Sequence, residues 1–135
     1  MKLFESTQTC KIKDIFFDGE EWVFCIDICK GEYKNHFEKS SFIYELRCPE
    51  WGITKHVHEH GTYIIHFPQE NQTQEFIKIL TAVVNDDPDF LDKNNFRNLA
   101  DLVHALYGKT MEVCFYYMPV KLNNGKTILT LAAKY

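Results

Sequence analysis

The chain has 135 residues, 45% apolar and 15% aromatic, with a formal net charge of −4. That length and apolar content exclude a disordered chain and indicate a single domain, 1–135, whose core needs no disulfides. No apolar stretch reaches the roughly 18–20 residues that span a bilayer, and the N-terminus lacks the apolar run of a secretory signal. The expectation is a soluble, cytoplasmic protein with no membrane partner.

Five cysteines, Cys10, Cys25, Cys29, Cys48 and Cys114, are an odd number in such a chain, which points to reduced thiols, several of them small buried residues. Charge is unevenly spread. Residues 108–135 hold four lysines against one acid, a net of +3, in an otherwise acidic protein. Lysines also keep an edge hairpin soluble, so the excess has a plain structural explanation beside the functional one.

Residues 8–17 mix β-formers with lysines, Asp18-Gly19-Glu20 reads as a turn, and residues 21–29 read as a second strand. On that strand Trp22, Phe24, Ile26 and Ile28 share one face, and Val23, Cys25, Asp27 and Cys29 the other. Two nearly apolar faces predict a central position. Lys30 to Asn35 is turn-like, residues 37–47 form a third strand, and Pro49 ends it. Residues 53–60 alternate weakly, and Thr62 to Phe67 reads as a short strand before Pro68. Helical spacing of Phe76, Leu80, Val83 and Val84 predicts a helix over 71–84, capped by Asn71 or Thr73. Phe96, Leu99, Val103 and Leu106 predict another over 95–107, with Gly108 as its C-terminal glycine. In the last strands Met111, Val113, Phe115 and Tyr117 alternate with Glu112, Cys114, Tyr116 and Met118, and Asn123-Asn124-Gly125 signals a hairpin.

This order predicts a β-rich α+β fold: a five-stranded OB-type Greek-key barrel with a two-helix insertion between the third and fourth strands. Helices on one face of an antiparallel sheet are the alternative.

Nucleophile-elbow, P-loop and dinucleotide fingerprints are absent, so no enzyme and no cofactor is expected. Cys114 with His104 is a thiol–imidazole pair in composition only, since a strand cysteine has nothing to orient the histidine. His56, His58 and His60 fall on one side of a strand, with His66 nearby, and are the metal candidates. Cys25 and Cys29 are four apart on a strand and do not form a knuckle, Cys48 stands alone, and solvated histidines on an edge strand are the expectation. Aromatics interleaved with lysines remain. Single-stranded nucleic acid is held by rings that stack on bases and cations that follow phosphates. The candidate nucleic-acid-binding residues are Lys11, Lys13, Tyr33, Lys34, Lys39, Tyr44, Tyr116, Lys121 and Lys126. Each tyrosine also fits a half-buried strand position with its hydroxyl in water.

Gly19 to Ile28, the Gly31-Glu32-Tyr33 turn within Lys30 to Asn35, the stretch Leu106 to Val113 containing Gly108-Lys109, and Asn124-Gly125-Lys126 together resemble phage-encoded OB-fold single-stranded DNA-binding proteins. The resemblance implies single-stranded DNA as partner and a role in DNA replication or recombination in a mobile element. Such proteins often carry an acidic C-terminal tail that recruits partners; a chain ending at Lys134-Tyr135 leads us to expect none. The competing expectation is a small acidic interaction or inhibitor module whose Asp86, Asp87, Asp89 and Asp92 meet a basic protein.

Overall fold

The computed structural model describes residues 5–28, 41–48, 52–59, 62–121 and 124–135. The chain forms β1 (Glu5–Phe17), β2 (Glu21–Ile28), β3 (Ser41–Cys48), β4 (Gly52–Glu59) and β5 (Thr62–Pro68). A single 3-10 turn, α1 (Gln72–Asp86), α2 (Phe90–Lys93) and α3 (Leu99–Leu106) follow, then β6 (Thr110–Lys121) and β7 (Thr127–Lys134). All strands join one antiparallel sheet in the order β3-β4-β5-β2-β1-β6-β7. The β-rich α+β class is as expected, and β2 lies mid-sheet. Among the described residues seven strands pair, two more than the five expected, and β3 and β4 form a hairpin beyond β5 at one edge of the sheet. Among the described residues the α-helices number three, α2 being a single turn, and all lie between β5 and β6.

The first hairpin forms where the sequence places it. Asp18 Oδ1 accepts the backbone N–H groups of Glu20 (2.9 Å) and Glu21 (2.8 Å), and Gly19 supplies φ +106°, a conformation side chains resist. Register shifts between Ile12 and Asp14, making Lys13 the extra residue of a bulge. The bulge resets the inward phase, so Ile12 and Ile15, three apart, both reach the core.

The sheet curls as a half-barrel. Tyr63 on β5 and Phe115 on β6 are three strand spacings apart, roughly 14 Å in a flat sheet, yet their ring centroids lie 5.3 Å apart. Phe24 on β2 and Tyr135 beyond β7 meet at 5.9 Å. Inside the curl pack Phe24, Ile26, Tyr63, Ile65, Phe67 and Met111 from the sheet, with Phe76, Ile79 and Val83 of α1. The alternation expected on β6 holds: Met111, Val113 and Phe115 are fully buried while Glu112 is exposed.

Helix ends differ from expectation at two points, α3 beginning at Leu99 rather than at residue 95, and α1 lacking its cap. Asn71 precedes α1 but makes no side-chain cap, and Thr73 lies inside the helix. α3 is properly capped: Asn98 Oδ1 accepts the Asp101 N–H at 2.9 Å, and Asp101 Oδ2 accepts the Arg97 N–H at 3.0 Å. Gly108, past the end of α3, has φ +76°. Its N–H donates to the Ile12 carbonyl at 2.9 Å, and Ile12 N–H donates to the Lys109 carbonyl at 2.8 Å, docking this turn on the bulge. Gly108→Ala is expected to cost about 1–2 kcal/mol in urea unfolding, from backbone strain alone, since a Cβ there meets only the Lys11 side chain at 3.8 Å. The final hairpin pairs Lys121 with Thr127, so its connection, 122–126, is longer than a two-residue Asn-Gly turn. Within it Asn124 Oδ1 accepts the Lys126 N–H at 3.0 Å and Gly125 has φ +83°.

Among the described residues, Cys10, Cys25 and Cys114 are thiols rather than halves of disulfides. Burial, reinforced by the nearby Asp14 carboxylate, pushes the Cys25 thiol up to about 11 from 9.0. That is about a hundredfold less thiolate at neutral pH. Peptide-resolved alkylation with iodoacetamide at pH 8 is expected to label Cys25 about a hundredfold more slowly than a free cysteine standard.

Candidate functional site

An open cleft lies between the end of β1 and α3. Its walls are Phe16, Phe17 and Trp22 on one side and Leu99, Val103 and Tyr107 on the other, enclosing about 490 Å³. After Ile15 turns inward, Phe16 and Phe17 run along the rim and remain 42% and 39% exposed; Tyr107 is 43% exposed. Trp22 forms the floor. Its Nε1–H donates to Gln72 Oε1 at 2.9 Å, and its ring meets Phe17 at 5.5 Å and Phe76 at 5.0 Å. The Tyr107 hydroxyl sits 2.6 Å from Asp14 Oδ1 and 2.9 Å from the Ile15 carbonyl oxygen. The hydrogen bond to Asp14 raises the Tyr107 pKa above its ordinary value, because an ionised phenol there would face a carboxylate. Leu99 also lines a second apolar groove, with Phe76, Ile77, Leu80 and Leu102, between α1 and α3.

The described candidate basic residues lie on different parts of the sheet. Lys11 and Lys13 are exposed on β1, Lys126 is exposed in the last turn, and Tyr116 is half-buried with Lys134 Nζ 5.4 Å from its ring centroid. Lys11 stands opposite Thr110, at the start of β6, whereas Lys126 follows the other end of that strand. Eleven residues at about 3.3 Å each separate them by roughly 36 Å. Tyr33, Lys34 and Lys39 lie outside the described residues, as do the side chains of Tyr44 and Lys121.

The acidic loop is partly engaged in the fold. Asp87 pairs with Lys93 at 3.4 Å and Lys109 at 4.0 Å, and Asp86 accepts the Thr110 hydroxyl; Asp89 and Asp92 are exposed. His56 stands opposite Ile65 and His58 opposite Tyr63, their side chains outside the described residues together with the whole of His60. Cys114 is paired with Thr7 at the start of β1, while His104 lines the cleft at the end of that strand, so the thiol and imidazole are not brought together.

Sequence reasoning missed Phe16, Phe17 and Tyr107. The signal was two consecutive aromatics just before an Asp-Gly turn: in an alternating strand, adjacent side chains take opposite faces, so both rings cannot enter one core. Among the described residues, no helix is long and apolar enough to cross a membrane. No family model, curated protein or solved structure matches the chain.

Proposed function

We propose that this protein is a binding module whose cleft between β1 and α3 docks a basic protein segment through apolar or aromatic side chains. The observation that carries this reading is the exposure of Phe16, Phe17 and Tyr107 around one groove. Exposed apolar patches of this kind mark interaction sites, and aromatic-walled pockets hold the anchor residues that dominate binding energy. Asp14 beside Tyr107, Asp18 and Glu20 after Phe17, and a net charge of −4 favour a basic partner. Selection of a displayed peptide library on the wild-type protein, with a Phe16→Ser/Phe17→Ser variant as counter-target, tests it. The expected winners carry a net positive charge around an aromatic or aliphatic anchor and shift the Trp22 emission. Peptides that bind both proteins alike sink the idea.

A second reading, single-stranded DNA binding, is favoured by strand order. With β3 and β4 taken as an inserted hairpin, the remaining order β5-β2-β1-β6-β7 corresponds to core strands 3-2-1-4-5. That order contains the Greek-key arrangement 4-1-2-3, and the helices then join core strands three and four, as in an OB-type barrel. The lysines and Tyr116 of the outer face would follow the backbone and stack on a base, serving DNA replication or recombination in a mobile element. Anisotropy of a labelled oligonucleotide at two salt concentrations is the check. Binding at micromolar protein that weakens with salt supports it; no binding at low salt removes it.

A further inference from the structure

We propose that Asp18, Glu21 and His66 form a binding site for a divalent transition metal ion, zinc foremost, at the end of the β1–β2 hairpin. Each of the three offers one donor atom, and these atoms lie within 4.8 Å of one another. The fold brings them together from three places. Asp18 is in the turn, Glu21 begins β2, and His66 is on β5 opposite Val23, one diagonal step from Glu21. This site adjoins the cleft, sharing Asp18 with its acidic margin, but does not rest on what the cleft binds.

The geometry is close to that of a coordination sphere. His66 Nδ1 and Glu21 Oε1 are 2.9 Å apart. Two ligands about 2.1 Å from a tetrahedral ion are about 3.4 Å apart, and two at right angles on an octahedral ion about 3.0 Å. The Glu21–His66 edge is therefore within about half an ångström of a ligand bite, and Glu21 and His66 close on Asp18, whose donor atom lies within 4.8 Å of theirs, when an ion binds. Asp18 Oδ1 is held by the two turn N–H groups, which anchors the residue while Oδ2 accepts no bond among the described residues.

The donor set selects the ion. One imidazole nitrogen and two carboxylate oxygens suit Zn²⁺, Co²⁺, Mn²⁺ or Ni²⁺. Ca²⁺ and Mg²⁺ take oxygen ligands, and thiolate-seeking Cu(I) finds no sulfur here. Three protein ligands leave the remaining positions to water. Bound metal would tie the first turn, β2 and β5 together, so binding adds to folding stability.

The full chain, purified without a histidine tag, is titrated with Zn²⁺ by calorimetry and with Co²⁺ by its visible absorption. The expected result is one equivalent bound at micromolar metal. Asp18→Asn keeps an acceptor for the turn N–H groups and Glu21→Gln keeps the side chain's shape, so both variants fold. Each is expected to weaken Zn²⁺ roughly tenfold or more, while a His56→Ala/His58→Ala/His60→Ala variant binds like the wild type. The proposal is overturned if the wild type binds no stoichiometric Zn²⁺. It is equally overturned if Asp18→Asn and Glu21→Gln leave the affinity unchanged, or if the triple histidine variant abolishes binding.

Discussion

Phe24→Ala is expected to destabilise the protein by about 3–5 kcal/mol, read as a lower urea midpoint at unchanged slope. Phe24 is fully buried on β2, and its ring meets that of Tyr135 at 72° and 5.9 Å. Truncation removes the transfer free energy of the ring. It also leaves a cavity walled by a curved sheet and a helix, which collapse only in part. The pair also reports the curl, because it joins β2 to the chain end across the concave face. A double-mutant cycle with Tyr135→Ala is expected to give a coupling of about 0.5–1.5 kcal/mol beyond area burial. Strict additivity of the two substitutions is the result that would contradict this packing.

Tyr135→Ala alone is expected to cost about 3 kcal/mol. The residue is half-buried overall, but its hydroxyl reaches inward and donates to Glu75 Oε2 at 3.2 Å. Glu75 is 2% exposed, and its other oxygen accepts from Lys78 Nζ at 3.2 Å. Lys78 Nζ in turn lies 5.2 Å from the Tyr135 ring centroid. Loss of Tyr135 leaves a buried carboxylate with one partner fewer. The conservative variant separates the parts: Tyr135→Phe keeps the ring and is expected to cost about 1–3 kcal/mol. Burial first, and the Glu75 carboxylate second, push the Tyr135 phenol well above 10.0. The folded state thus holds this proton more tightly than the unfolded chain. The contribution is whole below pH 10 and is lost as the pH rises from there towards the folded value. Urea titrations at pH 7 and at alkaline pH are expected to show a smaller alkaline loss in Tyr135→Phe than in the wild type.

Local chemistry was legible where one residue type answers one backbone demand. Gly19, Gly108 and Gly125 all have positive φ, and the strands of the first and last hairpins lie where alternation puts them. Asn71 shows the limit. It stands at the N-cap position, yet its side chain makes no capping bond, because it ends a 3-10 turn and its backbone (φ −100°, ψ 5°) lacks the extended form of a capping residue. The candidate site was the least legible part. Lysines and tyrosines were gathered by type along 115 residues of chain, and type does not fix distance: Lys11 and Lys126 fall at opposite ends of β6.

Alternation along the chain was enough to read the β-rich α+β class, the central place of β2 and the buried faces of β2 and β6. These follow from a two-residue period in which every second side chain must leave water. Only the tertiary structure decided that β5 pairs with β2, that the sheet curls far enough for Phe24 to meet Tyr135, and that Phe16, Phe17 and Tyr107 share a cleft. It also set His66 beside Asp18 and Glu21, 45 residues on from the latter in the chain. Pairing between distant strands is settled by which apolar faces can be buried together, a property of the whole chain that no local window contains.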